Sequence, residues 1–274
     1  MLIAFTAGNL AAIGLELDFQ AALAPLRNLH FIVVVMVWDW LLCPGFALLL
    51  AKVVPMAAPY ALGLVLIGLA PAAPFLPIMA RRAGGDMAYT AGFMLIAAVG
   101  TVAFMPLALP LVVPALVIDT WTIARPLVLL LLLPLVVGLA VKAWMPVVAG
   151  YLARAVKALA NLATLGLLAA IAILYFDGFV GAIGSYAIGT QILYAVAVTI
   201  GAYYLSFGLP PEQRSVVSLG VCTRNLGAAM APLLVVQTDP RTTVMIAMGV
   251  PITLVVTYFA ARWFERRAAR AGAA

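Results

Sequence analysis

Charge is what this sequence has least of. Only 9% of its 274 residues are Asp, Glu, Lys or Arg, while 67% are hydrophobic and the mean hydropathy is +1.21. Soluble domains carry about 25% charged residues, so this balance excludes them and specifies a polytopic membrane protein. Cysteine and histidine are nearly absent: Cys43, Cys222 and His30 are all there is. That excludes a disulfide framework and a His/Cys metal centre, and both cysteines, lying in apolar runs, read as small buried hydrophobes. There is no phosphate loop and no nucleophile triad, so no enzymatic activity and no cofactor beyond a coupling Na⁺ or H⁺ are expected. No basic stretch precedes the first apolar run, Met1 to Gly14, so no cleavable leader is expected. The net charge of +6 does not point to nucleic acid, because the basic residues sit in short loops and at the C-terminus. The expected surroundings are a lipid bilayer.

What is there is apolar sequence in runs of about 20 residues, the length an α-helix needs to cross ~30 Å of hydrocarbon. Barrel strands of ~10 alternating residues do not appear. Nine spans are expected, over 1–15, 29–53, 58–80, 87–112, 122–145, 155–176, 184–208, 215–236 and 240–263, in an all-α chain with no room for a separate soluble domain. Eleven basic residues fall on one side: Arg27, Arg81, Arg82, Lys142, Arg154, Lys157, Arg214, Arg262, Arg266, Arg267 and Arg270. Lys52, Arg125 and Arg241 fall on the other. The positive-inside rule then puts the C-terminus in the cytoplasm and the N-terminus outside, with the chain in the inner (plasma) membrane. Trp121, Trp144, Tyr151, Tyr203 and Trp263 lie near span ends, where interfacial anchors belong.

Two spans are irregular. The third carries Pro71, Pro74 and Pro77, which remove backbone donors and crowd preceding carbonyls, so a regular helix is not expected to continue there. The eighth carries Leu219-Gly220-Val221-Cys222-Thr223-Arg224-Asn225-Leu226-Gly227. Arg at a spanning-helix centre costs about 2.5–3.5 kcal/mol on insertion scales, and Gly220 and Gly227 bracket it, allowing a local opening. Asp86 after the third span and Asp239-Pro240 after the eighth read as N-caps of the following helices. The halves therefore match: 1–112 forms a first repeat, 122–145 an intervening helix and 155–263 a second, inverted repeat, all one transporter domain. Interrupted helices at equivalent positions of inverted repeats point to a midplane binding site.

The residues also resemble a known family. Gly14-Leu15-Glu16-Leu17-Asp18-Phe19, the stretch Gly63 to Gly68 with Pro71, the run Ala80 to Asp86, and Arg214 to Ala229 are similar to signature segments of the bile acid:sodium symporter family. The resemblance covers essentially the whole chain, which begins one helix short of ten-helix members. It implies a core domain with two crossed, broken helices (the third and eighth spans), a panel domain that moves against it, and a small organic anion carried with sodium.

The departures from the family pattern carry as much information. Positions where sodium-coupled members supply oxygen ligands are here Leu76, Pro77, Met94 and Gly220; Thr90 survives. A glutamine becomes Arg224, another becomes Asp39, and the asparagine is kept as Asn225. A hard cation needs several oxygen ligands, and a guanidinium repels it. Aligned on the family, Asp39 and Arg224 would face one sodium site, so an ion pair that replaces sodium is expected. Three roles stay open. The pair locks the crossed helices as a structural weld in a non-transporting membrane protein. Or Asp39 carries a proton and releases Arg224. Or Arg224 binds the substrate carboxylate beside Thr223, Asn225 and a half-helix N-terminus. His30 is expected at an interface, and Asn161, Thr164, Ser185, Gln191, Thr199 and Ser206 either line a cavity or bond between helices.

Overall fold

In a computed structural model, which describes residues 2–17, 23–71, 75–112, 119–234, 236 and 238–271, the described residues are mostly helical. The expectations placed on Asp18, Phe19 and Pro74 lie outside the described residues. The helices are α1 (Leu2–Glu16), α2 (Leu29–Val53), α3 (Ala58–Gly68), α4 (Leu76–Arg82), α5 (Met87–Val112) and α6 (Thr120–Trp144). They continue with α7 (Pro146–Leu174), α8 (Phe176–Gly181), α9 (Ala187–Leu205), α10 (Pro211–Cys222), α11 (Leu226–Met230) and α12 (Pro240–Ala271). Six of these, α2, α5, α6, α7, α9 and α12, are each long and apolar enough to cross a membrane. The chain is an all-α, multi-pass membrane protein. The expected spans 58–80 and 215–236 are each split into two helices, and α1 has 15 residues.

Prolines shape two of the long helices in the same way. Pro44 has no N–H and its ring crowds the carbonyl four residues back, and the turn before it, Trp38–Leu42, widens so that the Cys43 N–H reaches the Trp38 carbonyl. Pro134 does the same in α6, where Val128–Leu132 widens and Leu133 N–H reaches Val128. Such π turns are uncommon and concentrate at functional sites. The first contains Asp39.

Helices α1, α6 and α7 form one layer, and the remaining helices pack as a second group around α3, α10 and α12. In the first layer, α1 runs antiparallel to α7. Asn9 Nδ2 donates to Thr164 Oγ1 at 3.2 Å, and Lys157 Nζ lies 2.7 Å from Glu16 at the exposed end. Helix α7 begins at Pro146, ahead of the expected span 155–176, with Arg154 and Lys157 on its exposed end. Helix α1 crosses α6 backbone to backbone at Gly14 and Gly138: a Cβ on Gly138 would lie 2.7 Å from the Ala11 carbonyl oxygen and 2.9 Å from the Gly14 Cα. Small residues permit such approaches between membrane helices. Gly138→Leu is expected to cost about 1–3 kcal/mol by overpacking, read as a lower melting temperature.

The caps read from sequence are present. Asp86 Oδ1 accepts from Ala88 N–H at 2.8 Å and Tyr89 N–H at 3.1 Å, opening α5. Asp239 Oδ1 accepts from Arg241 N–H at 2.9 Å ahead of Pro240, opening α12, and the Arg241 side chain pairs with the same carboxylate at 2.7 Å. Those bonds hold the Asp239 carboxyl below the usual carboxylate range. A depressed folded-state value stabilises above the unfolded value and is lost as pH falls through the folded one. Asp239→Asn should therefore lower the melting temperature at neutral pH, and the gap to wild type should close in acid.

His30, the interfacial expectation, is exposed at the start of α2, with Nε2 2.5 Å from the Phe207 carbonyl. Both cysteines are buried and free. Of the expected cavity residues, Thr199 and Ser206 hydroxyls donate to carbonyls one turn back (2.6 and 2.5 Å), and Ser185 donates to Ala182. Asn161 is exposed.

Candidate functional site: the crossing of the two interrupted helices

The breaks after α3 and α10 meet each other. Leu69 ends α3 and Pro71 forms an isolated antiparallel bridge with Arg224. The Asn225 N–H donates to the Ala70 carbonyl at 2.9 Å, and Arg224 Nη1 reaches the Gly68 carbonyl at 3.5 Å. Backbone groups freed by the two interruptions thus satisfy one another inside the protein, as irregular backbone buried at membrane depth requires.

Each break has a local cause. Pro71 removes an N–H where α3 would continue. In the other, Thr223 and Asn225 adopt extended backbone (ψ 117° and 100°). The Thr223 hydroxyl donates back to Leu219 and Gly220 at 3.0 and 3.1 Å, finishing α10. Asn225 Oδ1 accepts from Ala228 N–H at 3.1 Å, starting α11.

Three residues expected around the breaks, Pro77, Gly220 and Gly227, lie within helices, and the opening at Thr223–Asn225 falls between the two glycines as expected. Pro77 sits in the first turn of α4, where a missing N–H costs nothing, so it starts that helix. Gly220 and Gly227 flank the opening but are themselves helical. Gly227 admits Thr6 of α1, and Gly220 admits the ring of Phe93 from α5. The Phe93 ring tip lies against Gly220 closely enough to leave no space for a Cβ.

Arg224 and Asp39 are brought together. Arg224 Nη1 lies 3.7 Å from Asp39 Oδ1, and the two side chains are 4% and 0% exposed. The contact is an ion pair too long for a hydrogen bond. Both Asp39 oxygens, and Arg224 Nε and Nη2, have no hydrogen-bond partner. Asp39 is held from both sides by its neighbours: the Trp38 indole seats over Gly201 of α9, and Trp40 over Gly100 of α5. Arg224 therefore presents a permanent charge with two uncommitted donors, the fork geometry that matches an organic carboxylate.

Two further groups belong to this centre. The Tyr194 ring lies 6.0 Å from the Arg224 guanidinium carbon and is stacked by Phe46, and its buried hydroxyl has no partner. Gln191, one turn earlier on α9, is fully buried with both amide atoms unpartnered. Gln191 was marked in the sequence as a cavity residue, whereas Tyr194 was not. Their spacing of three, which places both on one face of an apolar helix, is the signal that would have found it. Thr90, by contrast, is not directed to the pair: its hydroxyl donates at 2.8 Å to the Asp86 carbonyl of its own helix start.

The crossing is closed. The space beside Arg224 and Asn225, lined also by Ile67, Gly249 and Thr253, is about 10 Å³, room for one water at most. Among the described residues no cluster of His, Cys, Asp and Glu is placed to hold a metal ion.

No curated protein sequence matches the chain. A family model described as the sodium bile acid symporter family does match it, over residues 7–182, a stretch that includes Asp39, the first interruption and Phe93 but stops short of Arg224. With an all-α membrane fold and two interrupted helices joined at their breaks, that match places the chain in the sodium bile acid symporter family, a family of transporters.

Proposed function

We propose that the protein is a secondary transporter of a small organic anion, working without sodium, in which the Asp39–Arg224 pair occupies the place of the coupling ion. Helix α1, α6 and α7 form the panel, and the group around α3, α10 and α12 forms the core. The panel and core rock against each other around the crossing, with nine membrane crossings in two inverted repeats. The N-terminus lies outside and the C-terminus in the cytoplasm of the cell's inner membrane.

The observation that carries this reading is Phe93. Its ring fills the volume next to Gly220, the position where the resembling sodium-coupled sequences carry a glutamate. Hydrocarbon there, and a guanidinium one turn on, offer Na⁺ repulsion instead of oxygen ligands. The uncommitted Nε and Nη2 of Arg224 are the donors for the substrate anion.

A second reading is favoured by the bare carboxylate of Asp39, whose oxygens accept no hydrogen bond. Protonation there would free Arg224 and couple transport to protons.

The test is uptake into proteoliposomes in sodium-free medium, using labelled mono- and dicarboxylates and sulfonates, with and without an inward proton gradient. The reading expects saturable uptake of at least one of them, lost in Arg224→Gln. Uptake that requires a sodium gradient would overturn it, and absence of uptake under every gradient would favour a welded, non-transporting protein. A rate that follows the proton gradient and loses that dependence in Asp39→Asn would select the second reading.

A further inference from the structure

At the arginine-rich end of the molecule, helices α9 and α12 leave an apolar groove of about 420 Å³ between them. Its walls are aliphatic and aromatic, including Ile200, Val255 and Phe259, all more than half exposed on the outer surface of membrane-spanning helices. The deep end is a rigid aromatic cluster. Tyr203 stacks on Phe264 at 4.5 Å, and Trp263 meets both edge-on at 5.3 and 5.2 Å.

That cluster is shared with a second, polar hollow of about 580 Å³, lined by Arg214, Arg267, Glu212 and Ser215 together with Tyr203, Tyr204 and Phe264. The two spaces therefore adjoin along Tyr203, Tyr204 and Phe264. Arg267 stands at the junction, its guanidinium 4.9 Å from the Trp263 ring and 5.8 Å from Tyr203. Arg214 is anchored from the other side, its Nε donating to the Leu209 carbonyl at 2.5 Å. Two cations against one carboxylate leave the hollow positive.

We propose that these adjoining spaces together form a binding site for an anionic phospholipid, with an acyl chain along the α9–α12 groove and the phosphate between Arg267 and Arg214. An apolar, laterally open channel of this volume accepts a chain. Basic pockets between membrane helices hold anionic head groups. Arg267, stacked on Trp263, is pre-positioned, so little side-chain freedom is lost on binding. The site is separate from the crossing of the interrupted helices and does not depend on the transport reading. Its consequence is mechanical: a lipid here would staple α9, which bears Gln191 and Tyr194, to α12.

The experiment is thermal unfolding of the purified protein in phosphatidylcholine nanodiscs with and without phosphatidylglycerol. Phosphatidylglycerol should raise the melting temperature by several degrees. Arg267→Gln, and independently Val255→Trp, which blocks the groove without touching charge, should each remove most of that rise while melting like wild type in phosphatidylcholine alone. Arg125→Gln, on a helix outside the groove, should keep it. No rise with phosphatidylglycerol would overturn the proposal. So would a rise that survives both groove variants, as general attraction to the basic tail would give. Cross-links between copies through cysteines placed at Val255 and Ile200 in either lipid would show a second copy in the groove and also overturn it.

Discussion

Asp39→Asn is expected to destabilise the folded protein by about 3–5 kcal/mol, the cost of leaving one member of a buried pair unpartnered. Arg224 is 4% exposed, its guanidinium cannot shed its charge, and its other neighbours include the Gly68 carbonyl at 3.5 Å and the Tyr194 ring at 6.0 Å, neither of them an anion. Arg224→Gln should cost less, because a lone Asp39 carboxyl can become neutral by binding a proton. The double variant Asp39→Asn with Arg224→Gln should recover much of the single-variant loss, since two neutral amides at this separation need no counter-charge. The coupling energy from that cycle, read by denaturant unfolding in detergent, separates a genuine pair from two independently tolerated charges. Coupling near zero, with both single changes harmless, would mean that the 3.7 Å contact does not hold the crossing together.

The next largest effect is expected at Gly220. Any side chain there collides with the Phe93 ring, which is fully buried. Gly220→Leu should cost about 3 kcal/mol, at the upper end of overpacking penalties. Phe93→Ala alone should also cost about 3–5 kcal/mol by opening a cavity. Combined, the two changes should offset one another, because the new leucine enters the space the ring vacates. Non-additivity of that sign, measured by melting temperature and by recovery of folded protein, ties Phe93 and Gly220 to one volume. Additive losses would show that the ring is held by something other than the absence of a side chain at Gly220.

The large features of this fold are legible because hydrophobic length and Pro/Gly punctuation are local signals. The run of three prolines and the Gly220–Gly227 stretch marked both interruptions, and Asp86 and Asp239 marked their helix starts. The positions of the breaks within those stretches were not legible. Pro77 and Gly227 carry the breaker chemistry, but their effect depends on where the helix already ends: Pro77 falls in a first turn, and Gly227 is chosen for contact with Thr6. Similarly, Arg154 and Lys157 looked like loop charges and proved to be the exposed end of α7. Asp39 and Arg224 stood out because charge is rare in this chain. Phe93 and Tyr194 did not, since an aromatic residue in an apolar helix is indistinguishable from packing until its neighbour is known. The widened turn carrying Asp39 is foreshadowed by Pro44, yet its register depends on which carbonyl the Cys43 N–H selects.

The central claim, that a fixed ion pair and an aromatic ring have replaced the sodium site, is tested most directly by thermal stability of the purified protein in Na⁺ against K⁺ or choline at equal ionic strength. A ligand that binds only the folded state must stabilise it, by about 2.7 kcal/mol at a hundred times its dissociation constant. The expected result is the same melting temperature in all three salts, unchanged across sodium concentrations. A saturable, sodium-specific rise that disappears in Thr90→Ala would contradict the claim and show that carbonyls and the Thr90 hydroxyl still assemble a cation site.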